Sequence, residues 1–215
     1  MFYFENYYGK KVLKSDLLED VTHFFTTRDC ADFSKLNPKR LIRPEQTHSD
    51  HVEFADERNE YPDTDGIILT EQNDACCLKF ADCTPLIFFD TKNKIGAVSH
   101  AGWRGTAKKI GIKTLQKMNS NPNDIVAIIG PAISLCCYEV SDDVKTQLLN
   151  TVENNDKLSN DNYVDLKLIN ARQLQEFGVS KIDICPYCTS CNNDLFYSYR
   201  KENGTTNRHF AILKI

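Results

Sequence analysis

No apolar run in this 215-residue chain approaches the ~18 residues that a membrane helix needs. Nor is there a basic block. Lys and Arg number 26 against 30 Asp and Glu, dispersed along the chain, for a net charge of −4. That balance speaks against a nucleic-acid partner or an anionic membrane surface. The opening residues, MFYFENYYGKK, lack the basic-then-apolar order of a secretion signal. No linker, low-complexity tract or internal repeat divides the sequence. The expectations are one domain spanning 1–215 and a cytoplasmic location.

Cysteine, by contrast, is plentiful. Nine is an odd number, so the cysteines cannot all pair within the chain. Without a secretion signal they read as reduced thiols whose reactivity matters more than cross-linking. Apolar residues at 41 % and charged residues at 26 % are ordinary for a globular protein.

The chemistry gathers in KFADCTPLIFFDTKNKIGAVSHAGWRG, Lys79–Gly105. Two apolar runs, Pro85–Phe89 and Ile95–Val98, flank the polar link Asp90–Lys94, the pattern of two short buried strands joined by a tight turn. Cys83 precedes the first run and His100 follows the second. In an antiparallel pair they meet at one rim of the sheet. Gly102 and Gly105 then bracket Trp103 and Arg104, and an amphipathic helix is expected over Thr106–Met118.

Elsewhere, strands are expected at Met1–Phe4, Val21–Thr26, Ile67–Thr70, Ala75–Phe80, Ile125–Ile129, Val179–Ile184, Phe196–Arg200 and Phe210–Ile215. PDTDG at Pro62–Gly66 is turn chemistry. Ser141 and Asp165 are N-cap candidates for two more helices, the second stopped by Gly178. Glu153–Asn162 reads as a surface loop, as does the stretch from Thr27-Arg28 to Pro38. Strands outnumber helices and hairpins mix with crossovers, which indicates a mixed α/β fold.

Four constellations carry candidate chemistry. His48, Cys83 and His100 are two imidazoles and a thiolate, the ligand types of a three-ligand zinc centre. Spacing alone equally allows a buried thiol with two surface histidines, or a dyad with Cys83 as nucleophile and His100 as base. On a strand, Gln46 and His48 would share one face. In HAGWRG, Arg104 at a helix start could grip an anion, or simply pack on Trp103. CPYCTSC, Cys185–Cys191, has the look of a metal knuckle, but no fourth cysteine follows Cys191. It reads as a solvent-facing loop with inert thiols. FYSYRKENGTTNRHF reads as a hairpin turning at Asn203-Gly204, with Arg200 and Arg208 facing one side.

Taken together, QTHSDHV, DTDGIILT, ADCTPLIFFD, GAVSHAGWRGT, IGPAISLCCYEV, DLKLIN and the closing CT, FYSYR and NR resemble the bacterial laccase-domain family. These proteins were once called multicopper polyphenol oxidases and are now known as zinc-dependent purine nucleoside phosphorylases. The resemblance runs from about Thr26 to the C-terminus. It implies a β-sandwich core with helices packed on the outside and zinc (copper in vitro) on His48, Cys83 and His100. It also implies phosphorolysis of adenosine, inosine, guanosine and methylthioadenosine, with accompanying adenosine deamination. Purine nucleoside and phosphate are then the partners, with no nucleic acid or membrane. On this reading Cys83, His100, Asp82 and Arg104 are catalytic, Asp82 shuttling protons. Arg28, Gln46, Arg104 and Arg208 bind substrate and phosphate. The placement of Cys and His is also similar to that of certain bacterial toxin deamidases. That likeness keeps the Cys83–His100 dyad open. The alternative that the family resemblance implies is an amidase editing a cell-wall precursor, by zinc or a Cys–His dyad, and a non-catalytic metal-binding protein is a third. Two features depart from the pattern. DCADFSKLNP stands where the family usually has a glycine pair and a longer loop, and Cys185 and Cys191 are extras beside Cys188. Copper oxidase chemistry is excluded by counting. About ten histidine ligands are needed for several coppers, and the chain has His23, His48, His51, His100 and His209.

Overall fold

The computed structural model describes residues 1–29, 33–58 and 60–215. The strands are β1 (Phe2–Tyr7), β2 (Lys10–Ser15), β3 (Thr22–Thr26), β4 (Arg40–Ile42), β5 (Val52–Phe54), β6 (Gly66–Leu69), β7 (Asp74–Phe80), β8 (Thr84–Asp90) and β9 (Ile95–Ala101). Helices α1 (Trp103–Ala107) and α2 (Ile110–Met118) follow, then β10 (Ile125–Ile129), α3 (Asp142–Leu149), β11 (Ser159–Asn160) and β12 (Tyr163–Val164). The chain closes with α4 (Leu166–Glu176), β13 (Lys181–Ile184) and β14 (His209–Lys214).

Two six-stranded sheets carry the fold, in the orders β1-β2-β3-β14-β7-β4 and β13-β10-β8-β9-β6-β5. Most neighbours are antiparallel, but β4–β7, β5–β6 and β10–β13 are parallel. The inner faces meet in one apolar layer. Leu13, Phe25, Leu78 and Leu213 of the first sheet pack there with Ile67, Ile87, Val98 and Ile128 of the second. The outer face of the second sheet is covered by helices, as Leu86, Phe88 and Ala127 pack on Ile110, Leu115 and Leu174. Residues of β8 and β10 are therefore buried on both faces. That is why they read as continuous apolar runs rather than alternating ones.

The mixed α/β reading and most expected strands stand. Ser141 Oγ accepts from the Val144 N–H at 3.5 Å, and Asp165 Oδ1 from the Leu168 N–H at 3.1 Å, so both caps form as expected. Gly178 follows α4 with φ 105°, in the region glycine adopts without strain. Other expectations are corrected. The Thr106–Met118 helix is two helices, starting earlier at Trp103 and broken at Lys109, which has φ 57°. Phe196–Arg200 is not a strand, so the closing hairpin is a loop ahead of β14. Gln46 and His48 lie in a loop between β4 and β5, not on a strand. The surface loop over Glu153–Asn162 contains the short strand β11. Part of the expected loop after Arg28 lies outside the described residues.

Two histidines are sealed into this core. His23 accepts the Ser15 N–H on Nε2 at 3.1 Å, so its Nδ1–H donates to the Val21 carbonyl at 3.0 Å. Both ring nitrogens are thus used by the neutral form, and burial lowers its pKa. His209 lies between the rings of Phe80 and Phe196. Burial pulls it from 6.5 to about 3, against the Pro131 carbonyl and with help from the charges of Arg208 and Arg28. A folded pKa below the unfolded one contributes stability above the unfolded value and loses it as pH falls toward the folded one. Urea unfolding is therefore expected to show no pH dependence from His209 above about pH 6.5, where its contribution is fully present, and a loss on descending from there toward about 3. The slope is about 1.4 kcal/mol per pH unit for each such histidine. His209→Phe should flatten the slope by about one histidine, and an unchanged slope would refute the assignment.

Candidate functional site

The β8–β9 hairpin aligns Pro85 with His100 and Thr84 with Ala101. Cys83, one residue before β8, therefore reaches the rim where His100 ends its strand, as the apolar runs implied. The third member arrives from the β4–β5 loop, where His48 has φ 64°, an uncommon conformation for a non-glycine residue. A buried carboxylate holds it there. Asp65 accepts the backbone N–H groups of Thr47, His48 and Ser49 at 3.0, 3.2 and 2.7 Å, and the Ser49 hydroxyl at 2.9 Å. The same carboxylate meets His100 Nδ1 at 2.6 Å, which turns Nε2 toward the other two donors. Asp65 was missed in the sequence, where PDTDG read only as a turn. The available signal was an acidic residue immediately ahead of an all-apolar strand, a position that buries it.

His48, Cys83 and His100 each offer a ligand atom, and these atoms all lie within 4.8 Å of one another. The two imidazole rings cross at 68° with centroids 4.9 Å apart. Burial raises the Cys83 thiol, but the charges and hydrogen bonds of His100 and His48 outweigh it and bring the pKa down to about 6. His100 responds in the opposite sense. Burial lowers it, while Cys83 and Asp65 together lift it to about 9. The Asp65 carboxyl is held at about 2, because the His100 and backbone contacts overcome its desolvation. Gly102 completes the cradle. A Cβ there would sit 3.0 Å from Cys83 Sγ and 3.2 Å from His48 Cδ2. A polarised thiolate, two imidazoles and this cleared space fit a thiophilic divalent ion. The Asp65–His100 pair supplies the carboxylate support that such ligands commonly have.

The cluster opens into a cavity of about 640 Å³, lined also by Gln46, Lys79, Asp82, Tyr138, Arg200 and Arg208. Of the expected residues, Gln46, Asp82 and Arg208 therefore share one space with His48, Cys83 and His100. Gln46 is clamped to the Lys79 backbone, donating at 2.9 Å and accepting at 2.7 Å. Asp82 accepts the Thr189 hydroxyl at 2.6 Å and the Arg200 N–H at 2.7 Å. Two arginines are not brought in. Arg28 is paired with Glu202 at 2.5 Å and stacked on Tyr197, so its charge is already committed. Arg104 is exposed with its guanidinium 4.4 Å from the Trp103 ring. Tyr138 and Lys79 were missed as lining residues because nothing local marks them, whereas Arg200, expected to face the same side as Arg208, does line the same cavity. Burial, followed by the nearby Cys83 thiolate, raises the Tyr138 phenol and keeps it protonated.

The inert cysteine loop is also corrected. Cys185 is buried in the core, its thiol pushed up to about 12 by desolvation. Cys188 and Cys191, however, lie with Cys136 and Cys137, all four sulfurs within 4.8 Å of one another. The missing fourth cysteine lay upstream, in the CC pair of SLCCYEV.

This sandwich, with a His/Cys/His cluster at the rim of its central hairpin, defines a class of metal-capable α/β proteins. Residues 15–215 match the family described as multi-copper polyphenol oxidoreductase laccase, and the chain belongs to that family. It is similar to purine nucleoside phosphorylase YlmD of Bacillus subtilis, with 34 % identity over 204 residues covering 85 % of this chain and 73 % of that protein. It is also similar to purine nucleoside phosphorylase YlmD of Geobacillus stearothermophilus, with 38 % identity covering 71 % of this chain and 60 % of that one. Among solved structures, Bacillus licheniformis YfiH superposes with a TM-score of 0.90 at 26 % identity, covering 99 % of this chain and 98 % of that one. YlmD from Geobacillus stearothermophilus superposes with a TM-score of 0.88 at 26 % identity, each chain 98 % covered.

Two outcomes follow from the cradle. Asp65→Asn removes the charge that orients His100, so zinc affinity is expected to fall about 10–100-fold, read by calorimetric titration of chelator-stripped protein. Affinity equal to wild type would show that Asp65 only shapes the loop. Gly102→Ala is expected to weaken zinc binding while leaving the circular dichroism spectrum intact, since its methyl meets the sulfur rather than the core. Undiminished binding would mean the cradle has slack.

Proposed function

We propose that the chain is a zinc-dependent purine nucleoside phosphorylase acting on adenosine, inosine, guanosine and methylthioadenosine, with adenosine deamination as an accompanying activity. One observation carries the reading. The His48, Cys83 and His100 donors lie in the same cavity as Lys79, Arg200 and Arg208, so a metal-capable cluster and a cationic wall face one space. The printed names of the YlmD relatives support it. His48, Cys83 and His100 would hold a zinc ion, which would supply a Lewis acid to this cavity.

The surrounding residues account for the rest. Phosphorolysis requires a phosphate oxygen to attack the anomeric carbon while the bond to the purine nitrogen breaks and its electron pair stays on the base. Arg200 and Arg208 are the cations suited to hold that phosphate, since guanidinium groups grip it bidentately. They replace Arg28, whose charge is paired with Glu202, and Arg104, which stacks on Trp103 outside the cavity. Tyr138 and Tyr199 line the same space and offer aromatic faces to a purine. The protonated Tyr138 Oη donates a hydrogen bond to the departing base. Asp82, anchored by Thr189 and Arg200, orders the Arg200 backbone and is the carboxylate available for proton movement in deamination. Gln46 fixes the Lys79 strand end through its paired amide contacts.

The amidase reading retains one observation in its favour, the Cys83 thiol drawn down to about 6 beside His100. Two experiments separate the readings. Incubation with adenosine is expected to release adenine only when phosphate is present. Arg200→Ala with Arg208→Ala should raise KM for phosphate by about tenfold or more, the cost of losing charge-assisted hydrogen bonds. Base release without phosphate, or an unchanged KM, would overturn the assignment. Cys83 is expected to resist iodoacetamide in zinc-loaded protein and to react after chelation. A covalent substrate adduct on Cys83 in the loaded protein would establish the amidase instead.

A further inference from the structure

We propose that Cys136, Cys137, Cys188 and Cys191 form a second, structural metal site: a zinc tetrathiolate that staples the segment before α3 to the loop after β13. Cys191 Sγ lies 3.4 Å from the sulfurs of both Cys136 and Cys137, and all four sulfurs fall within 4.8 Å of one another. Around zinc at about 2.3 Å per thiolate, the edges of the tetrahedron are about 3.8 Å. The four sulfurs thus already sit close to the spacing one ion imposes. A disulfide accounts for the arrangement less well. Its bond is about 2.05 Å, and because Cys191 is equally near two partners, pairing with either strands the other beside Cys188. Simple apolar packing fails too, since Cys136 and Cys191 are exposed and gain little from burial.

The ligands come as an adjacent pair and a C-x-x-C pair, the latter a common metal-knuckle spacing. Four protein ligands close the coordination shell and leave no open position, which makes the site structural rather than catalytic. What it joins is the cavity wall. Tyr138 follows Cys137, and Thr189, whose hydroxyl donates to Asp82 at 2.6 Å, follows Cys188. Among the described residues the backbone link between these segments is narrow: the Ala132–Cys188 bridge, with Thr189 N–H donating to the Ala132 carbonyl at 3.1 Å. An ion on the four thiolates would lock Tyr138 and Asp82 at a fixed separation.

Metal content decides the matter. Zinc-loaded full-length protein, desalted and analysed by elemental mass spectrometry, is expected to carry about two zinc ions per chain. Cys136→Ser with Cys137→Ser should lower this to about one. His48→Ala with His100→Ala should also leave about one, but the ion left behind differs. With cobalt in place of zinc, the histidine variant should keep intense thiolate-to-cobalt charge transfer, and the cysteine variant should lose most of it. Cys191→His should retain the second ion with a shifted cobalt spectrum. In wild type, zinc should shield Cys136 and Cys191 from iodoacetamide and chelation should expose them, a reading that needs no variant to fold. A histidine variant that binds no zinc, shielding that is absent in loaded protein, or a Cys191 disulfide persisting under zinc and reductant would each overturn the proposal.

Discussion

The contact between Asp65 and His100 is the constraint on which the candidate site depends. A carboxylate with no exposed surface is costly unless every lone pair is used. Asp65 uses its own by collecting the backbone N–H groups of Thr47, His48 and Ser49 together with His100 Nδ1. The same interaction therefore does two things. It chooses the ring nitrogen that His100 presents to Cys83, and it folds the β4–β5 loop so that His48 adopts φ 64° and points at the same spot. The left-handed backbone at His48 persists because several hydrogen bonds over-determine it. Removing the carboxylate would release the His100 ring nitrogen and the His48 loop together, since one group bonds both.

The cavity is built in a comparable way from a second carboxylate. Asp82 has φ 83° and directs one oxygen to Thr189 and the other to the Arg200 N–H. It ties the hairpin rim to two points of the long connection between β13 and β14. Guanidinium groups, aromatic faces and the metal-capable cluster thus share a space that no single segment encloses. The four-cysteine cluster lies just behind this wall, between the residues that precede Tyr138 and Thr189. One chain therefore holds two sulfur clusters of different character. Cys83 is polarised by imidazoles at an open cavity, whereas the four-cysteine group is closed upon itself.

Local pattern determined the parts of the molecule whose causes are local. The Pro85–Phe89 and Ile95–Val98 runs with their polar link implied the β8–β9 hairpin, and the hairpin alone brought Cys83 beside His100, because antiparallel register follows from a short turn. Ser141 and Asp165 marked their helices, since a cap is a contact spanning three residues. His48 was legible by family motif and not by periodicity. The loop that delivers it is shaped by Asp65, and the pairing of a loop with a turn some residues later leaves no periodic trace. The helix expected over Thr106–Met118 breaks at Lys109, whose backbone has φ 57°, a departure that the amphipathic pattern does not signal.

Residues whose role depends on distant partners were decided by the tertiary structure alone. Arg28 and Arg208 look equivalent as isolated arginines. Only the fold pairs one with Glu202 and leaves the other lining the cavity. Cys185 and Cys191 look alike within CPYCTSC, yet one is sealed in the core and the other meets the CC pair across the chain. Residue type and spacing thus specified which chemistry was available: thiolates, imidazoles and guanidinium groups near short strands. The long-range pairing of the strands and loops specified which of them converge. A sequence spacing constrains distance over a turn or a hairpin, and beyond that separation only the packed core holds two side chains together.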